Sequence, residues 1–353
     1  MRILHTSDLH LFSPLGARLT PLQARSRRME LSDTLRRIID AAVSEGAQAV
    51  IIAGDLFDTE RVGRREAQEI LDAMARASRV TFLYLPGNHE HEALRESGAS
   101  IPGNVKIFGE EWTYFECSGV CFFGRSRLSA GCFDTLALDA KKRNVGVLHG
   151  ALLDKSGEEA VGRADAMAHP IDYLALGHYH SYSEERISAR TCAVYSGTPE
   201  GRGFDETGVK GYVRIDINEL GVSHTLVPFA KRRLHILEVD ITGAASESEI
   251  EDRVCTALAA IPSSDLVRAV LVGIRELGVR REVEALTERL SSRLFFLEII
   301  DRTRLGISPD DYKNDVSLKG EFIRLVKSEE GLDEEERDGI IELGLRALMG
   351  EEL

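Results

Sequence analysis

Cysteine is scarce and odd in number: Cys117, Cys121, Cys132, Cys192 and Cys255 are the only five, and no two of them form a C-x-x-C pair. That argues against a disulfide framework or a thiolate zinc site and leaves the five as small buried hydrophobes. Trp112 is the single tryptophan, and so few stacking rings do not suit base-specific readout of nucleic acid. No apolar run approaches the roughly 18 residues of a membrane span, and Met1-Arg2-Ile3-Leu4 does not open a signal leader. The expectation is a cytoplasmic protein. Positive charge is in deficit as well: a net charge of −14 argues against a basic surface that coats nucleic acid. The acid concentrates late, with 8 basic against 15 acidic residues in 301–353. No internal repeat or low-complexity tract is present.

What is there suffices for a large domain and a smaller one, since 43% of the 353 residues are hydrophobic. Apolar or β-branched runs predict strands over Ile3 to Ser7, Ala49 to Ala53, Val80 to Leu85, Val145 to Leu148, Tyr173 to Leu176 and Cys192 to Tyr195. Helical spacing predicts helices over Met29 to Gly46 and Arg65 to Ser78, so strand and helix alternate as in an α/β fold with helices packed on a sheet. A β-hairpin is predicted at Gly211 to Pro228. Beyond Lys231-Arg232-Arg233 a βαβαβ unit is predicted, ending near Ile300, followed by two helices over Leu318 to Ser328 and Glu334 to Met349.

Five short blocks carry the chemistry: Ser7-Asp8-Leu9-His10, Gly54-Asp55-Leu56-Phe57-Asp58, Gly87-Asn88-His89-Glu90, Leu148-His149-Gly150 and Gly177-His178-Tyr179-His180. Each follows an apolar run, where a buried strand should end. Their imidazoles, carboxylates and amide are the donor set of a divalent metal site that also binds oxygen anions. In extended backbone, residues two apart point to one side, so Asp8 with His10, and His178 with His180, are expected to grip an ion together. Two divalent ions bring +4, and Asp8 and Asp55 return −2. The remainder calls for hydroxide and an anionic substrate, which points to phosphate-ester hydrolysis.

These blocks resemble the pattern of the calcineurin-like metallophosphoesterase superfamily, D-x-H, G-D-x-x-D, G-N-H-[DE], a lone H, and G-H-x-H. The resemblance implies a sandwich of two β-sheets flanked by helices and two metal ions. Carried over residue by residue, Asp8, His10, Asp55 and His180 hold one ion, and Asp55, Asn88, His149 and His178 hold the other, with Asp55 bridging. His89 is implied as the catalytic residue that touches the scissile phosphate and protonates the leaving oxygen, work that suits an imidazole near neutral pH. Asp58 is implied to fix a ligand or His89 from behind. Glu90 reads as a solvated or structural carboxylate, His5 as facing away from the metals, and His91, His169, His224 and His235 as ordinary surface or core residues.

Finer similarity is to the SbcD and YhaO-like DNA repair exonucleases, through Met1 to His10, Tyr195-Ser196-Gly197-Thr198-Pro199 and Gly201 to Gly208. It implies a nuclease domain over 1–230, a capping domain over 231–300, and a helical tail over 301–353 that binds an SMC-like ATPase of the SbcC or YhaN type. It further implies a homodimer, manganese as the metal, and DNA held through its backbone without sequence preference. Four basic clusters give DNA a footing: Arg25, Arg27 and Arg28; Arg61, Arg64 and Arg65; Lys141, Lys142 and Arg143; Lys231, Arg232 and Arg233. The tail's apolar residues suit either a partner or the chain's own core. Two other readings stay open: a phosphoesterase acting on a small nucleotide or a phosphoprotein, and a non-catalytic scaffold on the same fold.

Overall fold

A strand such as Ala49–Ala53, buried at every position, requires apolar cover on both faces. In the computed structural model, which describes residues 1–13, 15, 18–59, 61–88, 90, 93–275, 283–306, 312, 314–348 and 350, the cover comes from a second sheet on one side and helices on the other. The first sheet runs Gly221–Pro228, Gly211–Asn218, Arg2–Thr6, Ala49–Ala53, Thr81–Leu85, Val105–Ile107. Arg2–Thr6 pairs antiparallel with Gly211–Asn218, and from Arg2–Thr6 onward the strands are parallel. The second runs Ser183–Arg186, Cys192–Tyr195, Tyr173–Gly177, Arg143–His149, Val120–Gly124, Thr113–Cys117.

Alternation along each strand sorts side chains into layers. Ile3, Ile51, Leu83 and Ile215 of the first sheet meet Val145, Val147, Tyr173 and Val194 of the second in one core. Leu4, Val50, Ile52 and Phe82 face the other way, onto Leu35, Ile38, Leu71 and Met74 of the helices Pro21–Ser44 and Arg64–Arg76. The outer face of the second sheet is covered by Phe133, Val161 and Ala166 against Leu148, Leu174 and Leu176. The expected two-sheet α/β sandwich is therefore the observed fold.

All of this lies in one of two units, Met1–Leu234; the other is His235–Leu353. The second unit has a three-stranded sheet of Leu234–Asp240, Leu266–Val272 and Phe296–Asp301, backed by Glu247–Leu258 and Val283–Ser291. Its βαβαβ order agrees with the sequence. Leu318–Ser328 and Glu334–Leu348 pack Ile323, Val326, Ile341 and Leu345 into a small core of their own.

The first helix corrects the sequence reading. It begins at Pro21 rather than Met29, because Thr20 and Gln23 form a capping box and Pro21 occupies the first turn, where its missing N–H costs nothing. The strands Val105–Ile107, Thr113–Cys117 and Val120–Gly124 have no counterpart in the sequence reading.

Candidate metal centre

Parallel strands bring their carboxyl ends to one edge, and there the blocks converge. His149 is the last residue of its strand, and His178 directly follows Gly177. Asp8 N–H donates to Gly54 O at 3.0 Å and His10 N–H to Asp55 O at 2.9 Å, so the first two blocks run side by side. The backbone there is not extended. Asp8, His10 and Asp55 have φ of 51°, 44° and 50°, and His178 has 106°. Asp8 and His10 thus meet through left-handed turns rather than through strand alternation, in the region where Asp and His are the enriched non-glycine residues. Two glycines make the crowding possible. A Cβ on Gly54 would lie 2.0 Å from His149 Nδ1, and one on Gly87 would lie 2.0 Å from Asp55 Oδ1.

The donor atoms of Asp8, His10 and His180 lie within 4.8 Å of one another, as do those of Asp8, Asp55 and His149. Asp55 Oδ2 sits 3.7 Å from His10 Nε2 and 3.4 Å from His149 Nε2, between the two groups. Asn88 Oδ1 is 3.1 Å from His149 Nε2. His178 joins neither group of three, but its ring lies edge-on to that of His149 with centroids 5.5 Å apart. The backbone N–H of His178 donates to Asp8 Oδ1 at 3.0 Å. His89 and His91 lie outside the described residues.

The far ring nitrogens identify the tautomers. His10 Nδ1 is 3.0 Å from Asp58 Oδ1, His180 Nδ1 is 2.8 Å from Glu206 Oε1, and His149 Nδ1 is 3.0 Å from Ala53 O. Each oxygen is an acceptor, so each Nδ1 is the donor and each Nε2, once free of a proton, turns a lone pair inward. His10 Nε2 and His180 Nε2 then face each other at 3.2 Å, and His149 Nε2 faces two oxygen acceptors. Converging lone pairs of this kind fit divalent cations.

Electrostatics follow from burial. Burial pushes the Asp8 carboxyl up to about 6, against the pull of His149 and Ser7 and with the Asp55 charge adding to the push. Burial, reinforced by Arg202, pulls His10 down to about 4. Burial also acts to lower His149, but its hydrogen bond to Asp55 and the Asp55 and Asp8 charges outweigh it and raise the group to about 9. The same negative potential attracts metal ions, whose binding displaces such protons.

The profile of the calcineurin-like phosphoesterase family matches residues 1–182, a span that holds all five blocks. The chain belongs to that family. Among its curated relatives, the "Uncharacterized metallophosphoesterase YhaO" of Bacillus subtilis is 29% identical over 245 residues, covering 64% of this chain and 59% of that protein. The "DNA double-strand break repair protein Mre11" of Thermoplasma acidophilum is 23% identical over 295 residues, covering 77% and 75%. The SbcD component of the SbcCD nuclease of Bacillus subtilis is 26% identical over 267 residues, covering 61% and 66%. The chain thus spans about three fifths of YhaO.

Glu206, which has no role in the sequence reading, supports this phosphoesterase site through His180. Glu206, 3% exposed, accepts from the Arg202 N–H at 2.7 Å and from its Nη2 at 2.6 Å while holding His180. Of the two readings of Glu90 the structural one holds: it is fully buried and accepts the N–H groups of Leu56, Phe57 and Gly87, tying the Asp55 and Asn88 loops together. His5 bonds Tyr173 Oη at 3.1 Å. His169, His224 and His235 bond Asp165 O, Glu184 and Asp265. Among the basic clusters, Arg27 is 1% exposed and bound to Glu30, Glu200 and Gly201 O, so it offers DNA no footing. Arg232 is likewise committed to Glu30, and Lys142 and Arg143 to Glu116 and Asp172.

Proposed function

We propose that this chain is a two-metal phosphodiesterase that degrades DNA from its ends in repair, acting with an SMC-like ATPase. The observation that carries it is the position of Asp55 Oδ2 between His10 Nε2 and His149 Nε2, the arrangement one carboxylate needs to serve two ions. Asp8, His10, Asp55 and His180 hold one ion in this reading, and Asp55, Asn88, His149 and His178 the other. When bound, the ions supply Lewis acidity at phosphorus. Asp58 and Glu206 keep the His10 and His180 rings turned inward, and Glu90 holds the loops of Asp55 and Asn88 in register. His89 donates the proton to the leaving oxygen. DNA as substrate rests on the relatives named for strand-break repair and nuclease function. Manganese is the proposed metal. Residues 1–230 form the nuclease domain in this reading, 231–300 the capping domain, and 301–353 the partner-binding segment of a homodimer.

The deciding experiment is degradation of end-labelled duplex DNA with manganese, with and without an SMC-like ATPase. Loss of activity in excess EDTA is expected, and full activity there would refute the metal mechanism. Cleavage of a cyclic nucleotide with none of DNA would assign a small-nucleotide substrate instead. His89→Ala should keep both ions and slow cleavage by roughly 100-fold or more, whereas Asp55→Ala should lose both ions.

A further inference from the structure

At the amino ends of the second sheet's strands, the edge opposite the metal centre, lies a polar cavity of about 350 Å³ lined by Arg143, Arg186, Arg190, Tyr173 and His224 around the buried carboxylate of Asp172. We propose that this cavity binds a small phosphate-bearing anion. Arg143 opens the seven-residue strand that His149 closes, so about 20 Å of extended chain separates the cavity from the metal ligands. The two places are independent binding sites.

The donors are oriented before any ligand arrives. Asp172, 4% exposed, accepts at Oδ1 from Arg143 Nη1 at 3.0 Å and Arg190 Nε at 3.1 Å, and at Oδ2 from Arg190 Nη2 at 2.7 Å and the Asn144 N–H at 2.8 Å. Backbone carbonyls complete the frame: Arg143 Nη2 donates to Glu219 O, and Arg190 donates to Ala140 O and Lys142 O. One buried carboxylate thus fixes the planes of two guanidiniums, and fixed planar forks match phosphate oxygens at little entropic cost. Arg186, in register with Cys192 on the neighbouring strand, brings a third guanidinium that forms no ion pair among the described residues. Glu184, on the same strand, already accepts from Tyr182 Oη at 2.7 Å and bonds His224 Nε2 at 2.6 Å. Three guanidiniums against Asp172 and Glu184 leave positive charge in surplus here, in a chain whose net charge is −14. They suit the three free oxygens of a phosphate group better than the two of a carboxylate. At the lower end of the range of about 300–1,000 Å³ for ligand pockets, the cavity fits a mononucleotide or pyrophosphate rather than a duplex.

Calorimetric titration of the full chain in EDTA with inorganic phosphate, pyrophosphate and dAMP tests the site. Binding with one-to-one stoichiometry is expected. Tighter binding of dAMP than of pyrophosphate would support the site with a nucleotide as its ligand, and the reverse would support it with a free phosphate chain. Arg186 is exposed, so Arg186→Gln should fold as the wild type does and weaken binding about 10-fold or more. Arg186→Lys should recover part of the loss, and both variants should hydrolyse bis(p-nitrophenyl) phosphate with manganese at the wild-type rate. Arg143→Gln carries the same binding expectation where its circular dichroism spectrum is that of the wild type. No binding of any of the three anions, or binding that Arg186→Gln leaves unchanged, would overturn the proposal.

Discussion

Burial above all keeps His5 neutral. The side chain is wholly enclosed between the sheets, and burial, opposed by the Leu176 carbonyl and reinforced by His224, pulls it down to about 3. In the unfolded chain it titrates near 6.5. Below that pH the unfolded state takes up a proton the folded state refuses, so stability is lost as pH falls from about 6.5 toward 3. The cost is roughly 2 kcal/mol at pH 5. His5→Gln, which keeps a partner for Tyr173, should flatten this slope by that amount. Urea unfolding in EDTA at pH 7 and pH 5 measures it; identical pH dependence in the two proteins would contradict the assignment. The same scale shows what was legible. The five blocks could be read because metal donors are few in kind and cluster at strand ends. Glu206 could not, since its partner His180 is 26 residues away and only the fold pairs them. Nor could the left-handed turns at Asp8 and His10, for which the extended alternative offers the same convergence.

Elements were legible where the environment is uniform. Ala49–Ala53 and Tyr173–Gly177 are buried on both faces, so their sequences are continuous apolar runs with sharp ends. Thr113–Cys117 alternates between half-buried and exposed, and its mixed composition gives no such signal. The helix Pro21–Ser44 shows the cost of reading charge as surface. Arg27 is buried in its second turn between Glu30 and Glu200, 2.7 and 3.1 Å from their carboxylates, and its Nη2 donates to Gly201 O. Glu200 in turn accepts the N–H groups of Lys231 and Arg232, so one cluster ties this helix to the Gly201 loop and to the segment at 231–232. Removing one member of a buried charge cluster costs about 3–5 kcal/mol. Arg27→Met should fall at the lower end, because Arg232 still faces Glu30. A shift of that size in denaturant unfolding, with unchanged salt dependence of DNA binding, is the expected outcome. A DNA-binding defect at wild-type stability would return Arg27 to the surface role.

For the whole molecule, the question is what an acidic protein gains from an acidic tail. Residues 301–353 carry 15 acidic against 8 basic side chains, so laying them along DNA would set like charges together and release no counterions. The two tail helices bury Ile323, Val326, Ile341 and Leu345 against each other, and Gly344 admits the Phe322 ring where any Cβ would collide with it. That core is a cluster separate from the one beneath the three-stranded sheet. Leu318, Leu325, Ile340, Leu343 and Leu348 remain exposed at 40–67%, more apolar surface than a free helical hairpin ordinarily presents to solvent. A hairpin with its own core can be removed as a unit, and its outer face suits a partner's helices better than a nucleic acid. Truncation after Asp301 should therefore leave metal content and hydrolysis of a small phosphodiester near the full-length values while abolishing association with the ATPase. Co-purification of the truncated chain with that ATPase at full-length affinity would disprove docking through the tail, and loss of soluble, folded protein would assign the hairpin to the chain's own core.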